Sequence, residues 1–599
     1  MTPLPHLTEA FIRQNANPES FQRGRDYYRK GAVTALEQRG RQLTAEVEGS
    51  QYAPYLIRLS FDAAGLTTAS CSCPYDWGGY CKHLVAVLLA VIHAPETIEA
   101  RSSLGEILAP LDRDDLQQLL LQLAERRPEL TDLIETLTLP LGLPGPLGDA
   151  PPVGPRQTSV DPAPFRKQIR TILRHAESRY EYDYNEEDSF TDEILEVLAQ
   201  IDPFIQAGDT ANALPLLQAI TEECLDEWGD LEDYAGDSDG FFDELGQAWA
   251  EALLVTELPP AERNHWLREL EKLRKKATAM NGEDGFEIAI EAARQGWDYP
   301  PLVRVLGGEI THLGARAAAS PYFSDDLALI RLTILARQGR HEAYLHLAEA
   351  EGQNARYLTK LVELDRAAEA VAYALAHVGD SDTSLTLAKA LRAKNELEAA
   401  LQIAEHGLAL EGHVRIELAR WLRDTASGVG QPARALSAAR IAYSASLNLG
   451  DYQAVQALAG PDWPTLKPDL LAALAASGNS YAAIDIYLHE GMVAEAIQAI
   501  EKGGLYSSQL EQVVAAATHS HPDWAIRQAC KQAEAIMDAK QSNHYARAVN
   551  WLRHARLAYN ASGQHTEWRA YLDTLLVLHA RKSSLIPQLK TLLSGLAKE

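Results

Sequence analysis

Four side chains with metal-ligand chemistry lie close together in the run CSCPYDWGGYCKH: Cys71, Cys73, Cys81 and His83. The chain uses five cysteines in 599 residues, so three of them beside a histidine call for a reason. One residue separates Cys71 from Cys73, one separates Cys81 from His83, and seven lie between the pairs. Three thiolates and an imidazole make a closed tetrahedral set, and soft sulfur selects zinc over magnesium or calcium. Four protein ligands leave no open position for water, which argues against a catalytic ion. The expectation is one structural Zn2+.

The elements around these residues must bring them together. In a strand, residues i and i+2 point to the same side, so Cys71 and Cys73 converge where a strand ends, and Pro74 stops that strand. The two glycines of YDWGGY let the chain double back. Cys81 then sits at the entry of an apolar helix read from CKHLVAVLLAVIHA, where free N–H groups favour a thiolate, with His83 in the first turn. Upstream, residues 18–31 (PESFQRGRDYYRKG) predict a short helix with Phe21, Tyr27 and Tyr28 on its apolar side. TALEQRG, LTAEVEG, YAPYLIRLSFD and LTTASCSC predict a small antiparallel sheet of about four strands, with Leu56, Leu59 and Phe61 roughly alternating with polar neighbours.

The pattern C-x-C, a short gap, then C-x-H, together with FQRGRDYYRKGAV, VEGS, CSCPYD and CKHLVAVLL, resembles the N-terminal region of bacterial SWIM zinc finger proteins. The likeness covers about the first 95 residues. It implies a strand-strand-helix core, zinc ligands at Cys71, Cys73, Cys81 and His83, and binding of DNA or protein partners. Some relatives carry a helicase motor, but this sequence has no GxxxxGK[ST] phosphate loop.

Five segments follow along the chain. Residues 1–95 form the zinc module. Residues 96–139 form a helical extension, with Leu116, Leu119, Leu120 and Leu123 at helical spacing. Residues 140–164 hold eight prolines and four glycines and read as a linker. Residues 165–320 form an acidic helical region. Residues 321–599 are read as an α-solenoid of tetratricopeptide- or HEAT-like helix pairs. In one such pair Leu385, Ala388 and Leu391 precede a Lys394-Asn395 turn and the return positions Leu397, Leu401 and Ala404. Ala435, Leu436, Ala439 and Tyr443 follow the break at Gly430, and Ala483, Ile486 and Tyr487 follow Gly478. The fold class expected is mainly α: a small N-terminal α+β zinc module, SWIM-like, followed by an α-helical solenoid.

The net charge is −28. Between Glu177 and Glu244 stand 22 acidic residues against one basic, whereas the first hundred residues are nearly neutral. The acidic stretch reads as solvated and partly disordered, or as a docking surface for a basic partner. Nucleic-acid binding would need a local patch, and residues 22–41 supply one in Arg23, Arg25, Arg29, Lys30, Arg39 and Arg41, with Lys82 between two ligands. The bland reading of that patch is a solvated helix face whose tyrosines pack inward. No signal peptide and no membrane span are expected, and sparse, clustered cysteines suit a cytoplasmic setting.

Other motifs fail on their chemistry. GDSDG at 236–240 has the G-x-S-x-G form, but no strand pattern precedes it. As a calcium loop it puts Ala235 and Gly246 where acids are needed. HEAYLH at 341–346 sets its histidines about 140° apart on a helix, so they cannot share a metal. Trp551, Trp568 and Tyr571 read as core, and Cys224 and Cys530 as ordinary residues. The expected function is a non-enzymatic zinc-binding adaptor that recognises a protein partner through its finger and helical repeats, with no small-molecule substrate. The alternative is a DNA- or RNA-binding protein that reads through the finger and the basic 22–41 segment.

Overall fold

The computed structural model describes residues 7–102 apart from 50–52 and 76–78, isolated positions between 107 and 126, and 158–593 apart from 181–189, 228–237, 279–281, 311–314, 316–322, 504–506 and 540–541. Most of the extension expected at 96–139 and most of the linker lie outside the described residues. The chain forms two compact units. One comprises Met1–Leu111, Gly379–Leu385 and Leu397–Glu599; the other comprises Asp112–Val378 and Thr386–Glu396.

The first unit opens with α1 (Glu9–Gln14), α2 (Pro18–Arg29), β1 (Val33–Arg39), β2 (Gln42–Val47), β3 (Tyr55–Asp62), β4 (Gly65–Cys71), α3 (Lys82–His93) and β5 (Glu99–Arg101). Asn17 caps α2, its side chain accepting the Ser20 N–H at 2.6 Å, and Pro18 takes the first turn, where no N–H is needed. The sheet order is β4-β3-β2-β1-β5, with the first four strands antiparallel and β5 parallel to β1. The sequence predicts four strands, and the fifth corrects it. β5 is three exposed residues with no alternation to reveal it, secured by Arg101 on Glu37 at 2.9 Å.

On β3 the inward set is Tyr55, Ile57, Leu59 and Phe61. Leu56, expected among the alternating core residues, is 50 % exposed, because the two-residue period puts it on the opposite face from Leu59. Residues Leu84 to Val91 of α3 are all buried, since the sheet covers one side and α1 and α2 the other. A helix apolar all round needs cover all round.

The rest of this unit is helical: α4 (Leu397–Leu408), α5 (Arg415–Gly428), α6 (Pro432–Ser446), α7 (Leu449–Ala459), α8 (Trp463–Ser477), α9 (Ser480–His489), α10 (Val493–Gly503), α11 (Ser507–Ser520), α12 (Pro522–Asp538), α13 (Tyr545–Ala561), α14 (His565–Leu578) and α15 (Ile586–Thr591). Most pack on their neighbours in sequence, as helical repeats do, with α7 touching both α8 and α9, and one run of buried side chains from Ala439 to Leu592 joins α6 to α15. Trp551 and Trp568 are buried in it, as expected. Helix Ser381–Ala393 precedes α4, and the turn expected at Lys394-Asn395 is present, with Asn395 left-handed at φ 64°.

In the second unit, helices Ala163–Tyr180, Phe190–Ala199, Thr210–Glu227, Ser238–Leu254 and Pro260–Ala277 share a core that includes Phe241, Phe242, Trp249 and Phe286. The described part of the acidic stretch is therefore not a solvated coil. Its acids sit mainly on the outer faces of helices whose Ile194, Leu214, Leu217 and Ile220 are buried. Two acids among the described residues are exceptions: buried Glu223 is held by Arg170 Nε at 2.7 Å, and buried Asp209 accepts from Asn212 Nδ2 at 2.8 Å. Ser238 lies at the start of a helix, so the described end of GDSDG has no nucleophile-elbow context. HEAYLH lies on helix His341–Ala350.

Candidate metal centre

Cys71 ends β4, paired with Ile57 of β3, and the strand's two-residue period carries Cys73 to the same side just beyond it. Cys81 is the N-cap of α3, its sulfur accepting the Leu84 N–H at 3.5 Å, and His83 follows within the first turn. One ligand atom from each of Cys71, Cys73, Cys81 and His83 lies within 4.8 Å of all the others. The four predicted ligands, drawn from a strand end and a helix start, thus converge at one point. Cys81 and His83 are buried, Cys71 and Cys73 partly so.

The electrostatics favour a cation here. Hydrogen bonding from the Cys71 thiol, helped by His83 and the Leu84 N–H, holds Cys81 well below the ordinary thiol value against the cost of burial. The reciprocal interaction with Cys81, followed by burial, pushes Cys71 up, and burial raises Cys73. Ionising all three sulfurs at this spacing needs a cation between them, and the donor set of three thiolates and one imidazole fits Zn2+.

His83 turns Nδ1 toward Cys71 Sγ at 3.8 Å. Its Nε2 is buried and, among the described residues, makes no hydrogen bond. Packing orients the ring instead: Tyr55 stacks on it at 4.2 Å and Tyr27 meets it edge-on at 5.4 Å.

The loop between the ligand pairs is fastened to the N-terminal helices. Tyr80 N–H donates to the Asn15 carbonyl at 2.6 Å, and Asn17 Nδ2 donates to Tyr75 Oη at 2.7 Å. Gly79 takes φ +72°, and a Cβ there would come within 2.6 Å of the Asn15 oxygen. The same surface seats the module on the repeats of its own unit. α1 packs on α7, with Gln14 Nε2 donating to the Gly450 carbonyl at 3.1 Å, and β4 meets α5. A Cβ on Gly428 would lie 1.7 Å from the Ala64 oxygen, so only glycine allows that approach. Burial, followed by the charge of Asp424 on α5, pushes the Tyr80 hydroxyl up to about 12.

Beside the seat lies a charged cluster that the sequence reading missed. Asp451, 2 % exposed, receives Arg420 in a bidentate pair at 2.7 and 3.1 Å and Arg423 at 3.3 Å, with Ser446 Oγ donating at 2.6 Å. Arg423 also pairs with Asp424 at 2.7 Å. Neither cluster nor seat has a sequence signal, because the partners are hundreds of positions apart or belong to separate helices.

Three of the candidate nucleic-acid residues, Arg23, Arg39 and Lys82, have partners within the module. Arg23 pairs with Glu19 at 3.3 Å, and Arg39 lies near Glu37. The Lys82 ammonium sits 4.9 Å from the Tyr27 ring centroid. Arg25 is half-buried, while Arg29, Lys30 and Arg41 are exposed. The interleaved aromatics turn inward: Phe21 is buried, Tyr27 faces His83, and Tyr28 lies 5.9 Å from His93.

Residues 55–92 match the family model of the SWIM zinc finger, a span that contains all four ligands. Over 119 residues the chain is 33 % identical to Zinc finger SWIM domain-containing protein 8 of Bos taurus and of Homo sapiens. Over 116 residues it is 31 % identical to the Drosophila melanogaster homolog of that protein. These matches cover 19 % of this chain and only 6–8 % of the relatives, so the chain spans a small part of the length of the relatives it matches. Among solved structures, the crystal structure of the P58(IPK) TPR domain aligns over 69 % of this chain and 100 % of its own, at 14 % identity and a TM-score of 0.16. The repeat architecture rests on the helix packing described above, not on that alignment. Among the described residues no helix is long and apolar enough to cross a membrane.

Proposed function

We propose that this chain is a non-catalytic scaffold in which one structural Zn2+ holds a SWIM-type module in place on a set of helical repeats, and the repeats present a surface to a protein partner. The supporting observation is the convergence of four ligand atoms within 4.8 Å, in a module whose ligand-bearing loop is tied to helices that seat on the repeats. The set is closed, so the metal supplies cross-linking rather than a reactive water. In this reading Cys81 and His83 fasten the start of α3 to the end of β4 through Cys71 and Cys73. The repeats can vary their outer side chains without disturbing the stack, which is why such arrays commonly bind proteins.

Elemental analysis of the purified chain tests the metal: one equivalent of zinc, lost in Cys73→Ser, is expected. Far less than one equivalent in the unsubstituted chain sinks the reading. No turnover is expected with ester or phosphodiester substrates, and a zinc-dependent turnover would contradict the non-catalytic role.

A second reading, nucleic-acid binding, is favoured by the exposed cations Arg29, Lys30 and Arg41. It is opposed by the net charge of −28 and by the inward-facing aromatics. Absence of DNA or RNA retardation by the full chain at low salt would dispose of it.

A further inference from the structure

A cleft of about 640 Å3 opens where α1 and α2 of the zinc module face α5, α7 and α9 of the repeats. That volume lies within the range of sites that bury a ligand. Its near wall includes Arg13, Pro18 and Phe21; its far wall includes Arg420, Leu449 and Asp485. Both cations are already engaged. The Arg13 guanidinium lies 4.7 Å from the Phe21 ring centroid and 3.5 Å from Glu9, and Arg420 is bidentate on Asp451.

The acid on the far wall is different. Asp485 accepts a hydrogen bond from Gln509 Nε2 at 3.3 Å, and among the described residues no cation pairs with it. Burial raises its carboxyl above the ordinary value, and the Gln509 hydrogen bond offsets only part of that. A half-buried carboxylate of this kind lowers stability unless something fills its need. The net charge of −28 draws a cationic partner and repels phosphate.

We propose that this cleft binds an extended peptide segment carrying one Lys or Arg side chain, whose cation meets Asp485 while its stem lies along Phe21 and Leu449. The inference rests on the zinc reading above, and it adds a dependence on the metal. The near wall belongs to α1 and α2, and Asn15 between them holds Tyr80, the residue next to ligand Cys81. Removing the ion frees that wall, so peptide binding falls even though the far wall belongs to the repeats.

The test offers the full zinc-loaded chain an array of short capped peptides that carry Arg, Lys, norleucine or Glu at one position in an apolar background. The Arg and Lys peptides should be retained at least about tenfold better than the others. Asp485→Asn should abolish that preference while leaving thermal stability equal or higher, because an uncompensated charge has been removed. Asp485→Lys should shift preference to the Glu peptides, and chelated protein should lose retention. Equal retention of all four peptides overturns the proposal. So does an unchanged preference in Asp485→Asn, or binding of a single-stranded oligonucleotide in the same cleft. Zinc content is measured on the same samples. Absent zinc defeats the scaffold reading, whereas zinc without basic preference defeats this inference alone.

Discussion

The zinc module and the repeat helices beneath it both bury apolar side chains, yet they depend on different things. The repeats carry one continuous core from Ala439 to Leu592, with Tyr443, Trp551 and Trp568 inside it, and every helix has neighbours on which to spend its apolar face. The module has one fully wrapped helix, α3, against a five-stranded sheet. A small core gains much from a cross-link, whereas a long stack gains little from one. On the function proposed above, a cross-linking ion contributes most where the chain buries least by itself.

The largest expected effect breaks that comparison at the metal. Chelation, or Cys81→Ser, should expose the amides of α3 and β3 to rapid hydrogen exchange while α11 to α13 keep their protection. Structural zinc contributes on the order of 10 kcal/mol to small metal-dependent folds. Unchanged protection in the module without zinc would remove the contrast.

Next comes Asp451→Ala, which leaves Arg420 and Arg423 without their buried acid and should cost about 3–5 kcal/mol in a urea melt. This carboxyl also predicts a pH dependence. Burial pushes it up, but hydrogen bonds from Arg420 and Ser446 and the charges of both arginines hold it below its ordinary value. The stability it contributes is therefore complete above the unfolded value of about 4 and is lost as pH falls through the lower folded value. Asp451→Asn should flatten that acid limb, and an acid limb identical to the unsubstituted chain would refute the assignment.

A smaller effect separates the regions without destroying either. Gly428→Leu drives a side chain into the Ala64 backbone and should cost about 1–3 kcal/mol, raising exchange at the seat while zinc content stays at its original level. The smallest effect is that of Arg23→Ala, whose exposed i,i+4 pair with Glu19 should be worth less than about 0.5 kcal/mol in thermal melting. A larger loss would mean that the module leans on its outer helix face.

Much of the site was legible because its signals are local. C-x-C at a strand end and C-x-H at a helix start encode convergence through two short periods, and all four ligands are where those periods place them. The helix pairs of the repeats were legible for the same reason. β5 was not, because three exposed residues carry no pattern. The face of Leu56 was misjudged because one residue of register reverses a strand. The packed state of residues 190–227 was hidden by their charge, which is a property of outer faces and says nothing of what lies beneath.

By itself the sequence determined the four candidate metal-ligating residues and the helical character of the long remainder, since each depends on residues within a turn or a strand of one another. The tertiary structure alone decided that the module rests on α5 and α7, that Asp451 holds two arginines, and that Asp485 faces a cleft while pairing, among the described residues, with no cation. Those facts are made by residues far apart in the chain, and what joins such residues is the packing of whole elements, which no local pattern records.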